Sequence, residues 1–270
     1  MKIRHVKIAI TVFAIGLLIV TGYRNWGIKE TDSSAWAADE KIDASVSKTD
    51  LKPDTGTIIG KVKFDGDAPF RRAINFGAEL QCKNLHEEKA YYEDVVVSEE
   101  GALQNTFVYI RGSVKGKFEP PTEPVVIDQV GCIFIPHVSG AMIGQPVEFL
   151  NSDPVLHNVR TVSTKEKPLK EKPFNISQPR EGMKYTHIFT KMDIGIPLRC
   201  DVHHWMSAFV HILPHPFFAV TGEAGTFKIQ GLPPRTYTLE AWHGKLGSQK
   251  IRVTVEAGKT QEVDFVFSSE

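Results

Sequence analysis

Past residue 55 the apolar runs are short, most alternate with polar residues, and Gly, Pro, Asn and Asp break the chain between them. Side chains of an extended segment change face at every residue, so such alternation marks strands with one face buried. Residues 57–64, 106–110, 124–127, 145–150, 208–213, 225–229, 236–242, 250–255 and 262–267 all read this way. Only residues 78–89 have the composition of a helix, and the stretch is short. Strands at this density predict an all-β chain built of sandwiches or barrels. The 270 residues, 41% hydrophobic and 24% charged, suffice for one large or two small globular units. A formal net charge of zero argues against nucleic acid as partner, because phosphate binders carry a basic excess.

Residues 1–55 differ. Lys2, Arg4 and Lys7 precede an apolar run, residues 8–20, that is shorter than the roughly 20 residues needed to span a bilayer comfortably. A basic start before a short apolar core is the pattern of an export signal. The best small-x-small cleavage site is Ala35-Trp36-Ala37. Residues 1–37 therefore read as an export signal or, with the apolar run extended to Tyr23, as a retained N-terminal membrane anchor. Residues 38–55, rich in Ser, Asp, Lys and Thr, read as a linker. Either reading places the rest of the chain in the periplasm or its extracytoplasmic equivalent. In such an oxidising compartment the odd count of cysteines, Cys82, Cys132 and Cys200, leaves one pair and one thiol for another purpose.

Chemistry concentrates in two segments, Asn151-Ser-Asp-Pro-Val-Leu-His157-Asn158-Val159 and Cys200-Asp-Val-His203-His-Trp-Met206. A thiolate, two imidazoles and a weak thioether form the ligand set of electron-transfer copper, since soft sulfur favours Cu(I) and imidazole accepts both oxidation states. Cys200 ends one strand in this reading, His203 and Met206 sit on the tight loop after it, and His157 arrives from a neighbouring strand. Zinc competes, because one Cys and two His also suit it. A structural zinc site prefers four Cys/His ligands, however, and a catalytic one needs a base. Glu148 and Asp153 are available, outside any hydrolase motif. His211, His215 and His243 carry no ligand spacing and read as structural; His204 reads as solvent-facing or as a neighbour of the ligands, and His137 as a strand histidine satisfied by a hydrogen bond or facing the site.

Val147-Glu-Phe-Leu-Asn151 with His157-Asn158-Val159 resembles the upstream copper-ligand segment of the plastocyanin and pseudoazurin family of cupredoxins, and Cys200-x-x-His203 with a nearby Met resembles their ligand loop. Phe134-Ile-Pro136 is similar to the family's second strand. The resemblance spans residues 121–213 and implies a Greek-key β-sandwich holding one copper ion through His157, Cys200 and His203, with Met206 axial. Met206 follows His203 by three residues, a shorter step than in plastocyanins. It resembles the dinuclear copper loop of terminal oxidases, without that site's second cysteine.

Residues 221–242 resemble the carboxypeptidase regulatory-like fold, a transthyretin-like β-sandwich, over most of residues 214–270. That stretch offers about five strands where a seven-stranded sandwich needs more. Gly56-Thr-Ile-Ile-Gly60-Lys-Val62 followed by Asp67-Ala-Pro69 looks like the opening of the same fold. The N-terminal β region, 56–120, is thus expected to supply the missing strands, with the copper domain inserted between the two parts. The whole chain resembles proteins labelled methylamine utilization proteins, which join these two modules. A copper-binding Cys200 must stay free, so Cys82 and Cys132 either pair and tie the split sandwich to its insert or stay as buried free thiols. The expected function is one-electron transfer with a redox partner protein, without catalysis. The alternatives are copper storage or delivery, or a β-sandwich scaffold with a vestigial site.

Overall fold

The computed structural model describes residues 54–269. The export signal or anchor at 1–37, and all but the end of the 38–55 linker, lie outside the described residues. Among the described residues, no helix is long and apolar enough to cross a membrane.

In chain order the elements are β1 (Gly56–Asp65), α1 (Leu80–Asn84), β2 (Phe107–Arg111), β3 (Val125–Val130), β4 (Ile133–Ile135), β5 (Val138–Met142), β6 (Pro146–Asn151), β7 (His157–Thr161) and β8 (Asn175–Gln178). There follow β9 (Met183–Ile188), β10 (Asp193–Arg199), β11 (Ser207–Leu213), β12 (Phe218–Val220), β13 (Thr226–Leu232), β14 (Arg235–His243), β15 (Gly247–Val255), β16 (Thr260–Glu262) and β17 (Phe265–Ser268). The described chain is all-β apart from the one short helix.

β1 pairs with β13 antiparallel and with β16 and β17 in parallel. The facing sheet runs β12-β2-β14-β15. Alternate residues of β1 (Ile58, Val62, Phe64) meet Ile110, Leu239, Val253, Phe265 and Phe267 in one core. Strands from the start and the end of the described chain thus close one sandwich. Gly60 allows the close approach this needs, because a Cβ there would fall 1.8 Å from the Val263 carbonyl oxygen.

The residues between form a second sandwich, sheet β5-β11-β10-β7-β8 against sheet β4-β3-β6-β9. β6 shows the period of two, with Val147, Phe149 and Asn151 inward. Its core joins Ile127, Phe149, Val159, Leu198 and Val210. Between the sandwiches, Phe107, Tyr109, Val138 and Leu213 are buried together. His211 stacks on Phe107 at 3.9 Å and accepts the Gly195 N–H on Nδ1. His215 donates from Nε2 to the Gly112 carbonyl, His137 donates from Nδ1 to the Ser207 carbonyl, and His243 accepts two backbone N–H groups on Nδ1. These rings serve the frame, and His204 is exposed.

Residues 66–92 depart from the β region expected for 56–120. Ile74, Phe76 and Cys82 are buried in the core of the second sandwich, and Ala90 and Tyr92 pack against it. Pro69, Gly77 and the charged run Glu87-Glu88-Lys89 break any alternation, so the few apolar residues are buried by docking and not by pairing in a long strand. A disulfide from Cys82 on α1 to Cys132, with α-carbons 5.5 Å apart, fixes this flap. Cys200 is the free cysteine.

Candidate metal centre

β10 runs beside β7, with Arg199 opposite Arg160. The first residue past β10, Cys200, therefore emerges beside the start of β7, where His157 stands. Asn151 at the end of β6 shapes the loop before His157: its side chain accepts the Asp153 N–H at 3.0 Å and donates to the Val155 and Gln178 carbonyls. The loop from Cys200 to Met206 is tied to the same strands. Asp201 N–H donates to Asn158 Oδ1 at 2.7 Å, and the Asp201 carboxylate pairs with Arg160 and accepts from Asn158 and Asn175. Within the loop the His203 N–H donates to Cys200 Sγ at 3.4 Å. The Met206 N–H closes the turn on the His203 carbonyl at 2.9 Å.

Ligand atoms of His157, Cys200 and His203 lie within 4.8 Å of one another, all three residues buried. Met206 is fully buried in the hydrophobic cluster that includes Cys200 and Trp205. The far nitrogens of both imidazoles are occupied. His157 Nε2 stands 2.8 Å from Asp153 Oδ2, which can only accept, so this nitrogen carries the proton. His203 Nε2 lies 3.5 Å from Cys82 Sγ, a disulfide sulfur that has no hydrogen to give. His157 Nδ1 is then left with a lone pair, and it accepts the His203 Nδ1–H across 2.9 Å. A soft cation that displaced this one proton would have both Nδ1 atoms and the Cys200 sulfur within reach. The residues present fit a soft metal ion.

Burial pushes the Cys200 thiol up, but the adjacent His157 and His203 rings, with the backbone N–H groups of Asn158 and His203, outweigh it and bring its pKa down to about 6. The sulfur is thus available as thiolate at neutral pH, the form that binds metals. For His157, burial pushes the pKa down, while Asp153 and the Cys200 sulfur push harder the other way and leave it raised.

Sequence reasoning weighed Asp153 only as a base for zinc. Its two oxygens instead accept the backbone N–H groups of Gly131 and Cys132, each at 2.7 Å, besides the His157 ring. Gly131 and Cys132, with φ of 65° and 55°, form the two-residue turn between β3 and β4. Two left-handed residues in a hairpin turn point successive N–H groups to one side, which suits an anion. Asp153 has no oxygen free to serve as a hydrolytic base, and Glu148 is engaged by Lys184 at 2.9 Å. Trp205 Nε1 donates to the Cys132 carbonyl at 2.9 Å, and Phe76 of the flap meets Trp205 edge-on. The flap, the disulfide and the ligand loop are thus one packed cluster. The spacing Asp-x-x-x-His was the signal available in sequence, but its partner turn is remote.

The model of the carboxypeptidase regulatory-like domain matches residues 208–268, less than half of the chain, beginning within β11. No curated protein matches the chain. Among solved structures, a Cu-containing nitrite reductase from Thermus scotoductus SA-01 is similar at 24% identity over 37% of this chain and 24% of that one, with a TM-score of 0.31. This chain thus spans about a quarter of the length of the reductase. A purple cupredoxin from Nitrosopumilus maritimus is similar at 20% identity over 33% of this chain and 97% of that one, TM-score 0.28. A methionine-to-alanine mutant of amicyanin in its Cu(I) form is similar at 16% identity over 39% of this chain and 97% of that one, TM-score 0.28.

Proposed function

We propose that this chain is an exported copper protein that carries single electrons, with His157 Nδ1, Cys200 Sγ and His203 Nδ1 as the close ligands and Met206 as a weak axial thioether. The observation that carries this reading is the buried convergence of His157, Cys200 and His203 ligand atoms within 4.8 Å, with the two Nδ1 atoms 2.9 Å apart and the far side of His157 held by Asp153. A copper ion held there supplies a one-electron couple between Cu(I) and Cu(II). The chain supplies rigidity: all four side chains are buried, and the loops bearing them are bonded to β7 and β8. Ligands fixed in this way move little when charge changes, which favours electron transfer over substrate chemistry. The Cys82–Cys132 disulfide supports an extracytoplasmic location. Leu156 and Val202, exposed chain neighbours of His157 and His203, offer apolar surface to a redox partner.

The test is the visible spectrum of copper-loaded protein beside Cys200→Ser. The thiolate is the chromophore, so the substitution should remove intense visible absorption while leaving folding intact. Full colour in Cys200→Ser would sink the assignment.

A further inference from the structure

We propose that the Cys82–Cys132 disulfide masks a second metal site, which opens on reduction and takes a soft monovalent cation of the Cu(I) class. This goes beyond the electron-transfer centre, using two sulfurs and one nitrogen that the centre does not use. Cys82 Sγ, Cys132 Sγ and a ring nitrogen of His203 lie within 4.8 Å of one another. The nitrogen nearest Cys82 is Nε2, at 3.5 Å, on the opposite edge of the ring from the Nδ1 that faces His157. As a disulfide the sulfurs are neutral and poor ligands. As thiolates, with an imidazole beside them, they form the soft set that selects Cu(I).

The reductant is a dithiol. Its thiolate attacks the protein disulfide, the Cys82–Cys132 S–S bond breaks, and the dithiol closes to its own disulfide. Two electrons and two protons pass to the protein, which ends with two thiols. Cation binding then releases those protons to solvent.

The flap can admit such a reagent. α1 is five residues long and has no side-chain cap. A cavity of about 460 Å³, lined by Phe76, Lys83, His86 and Glu88 among others, lies along it. Apart from the disulfide, the flap's polar ties to the sandwich include one bond from His86 to the Gly131 carbonyl at 2.7 Å. With few polar ties, the flap is held chiefly by Ile74, Phe76 and the disulfide, and its lifting is a local opening short of global unfolding.

The experiment counts Cu(I). Metal-free protein, before and after dithiothreitol treatment and anaerobic removal of the reagent, is titrated with Cu(I) against the chromophoric chelator bicinchoninate. Wild type should rise from one Cu(I) per chain to two, as titratable thiols rise from one to three. The Cys82→Ser/Cys132→Ser double variant should stay at one. Cys200→Ser separates this proposal from the first centre: whatever it binds when oxidised, it should gain one Cu(I) on reduction. Capacity unchanged by reduction in both wild type and Cys200→Ser would overturn the proposal. So would a disulfide that the dithiol leaves closed in the native protein.

Discussion

A carboxylate bonded to the far nitrogen of a ligand imidazole fixes the ring's tautomer and makes its near nitrogen more basic. Asp153 stands in that relation to His157 at 2.8 Å, itself held by the Gly131 and Cys132 N–H groups. A more basic imidazole favours Cu(II) over Cu(I), so Asp153→Asn should raise the reduction potential while the colour persists. Such partners are worth about 10–100-fold in metal affinity. If the loss falls on Cu(II) alone, the rise is about 60–120 mV. Protein-film voltammetry measures it, and an unchanged potential would show that the carboxylate only packs. His157, Cys200 and His203 were legible in the sequence because two of them lie three residues apart and their chemistry is specific as a set. Asp153 was not, since its role depends on a turn 21 and 22 residues away.

The strands that alternate cleanly, such as β1, β6 and β15, could be read from their pattern. β10, which carries Gly195 and Pro197 and runs between β7 and β11, shows no such pattern and was legible only as the strand that Cys200 ends. β9 was missed, because every one of its residues is at least partly exposed, without a fully buried face to mark it. In the flap the helix-like composition of residues 78–89 did mark α1, but its place against the second sandwich was not legible, because docking decides it and sequence alternation does not report docking. Its disulfide closes a loop of 50 residues. In the chain-entropy model such a loop contributes about 4 kcal/mol through the unfolded state. Urea unfolding of metal-free Cys82→Ser/Cys132→Ser should show a loss of that order, and a midpoint equal to wild type would mean the bridge adds no stability.

Across the whole described chain, several imidazoles are buried neutral at or near the junction of the sandwiches. Burial brings His137 down to about 4, opposed by the Ser207 carbonyl and Asp94, and brings His243 to about 4 as well. Burial also lowers His211 and His215. The unfolded chain, with ordinary histidines near 6.5, takes up protons first as the pH falls. Stability is therefore complete above about pH 6.5 and is lost progressively toward pH 4, by up to about 3 kcal/mol for a group shifted this far. Glu93, lifted by burial, offsets part of this. Urea midpoints of metal-free protein should fall between pH 7.5 and 4.5, and His243→Phe should flatten the decline. A flat profile in wild type would show that these rings are hydrated. The frame these rings hold serves to bring β7 and the loop after β10 together, and copper K-edge X-ray absorption of the loaded protein reads the outcome at the metal. The account predicts two imidazole nitrogens and one short sulfur around copper, the sulfur lost in Cys200→Ser. A shell of oxygen and nitrogen alone in the wild-type protein would contradict it.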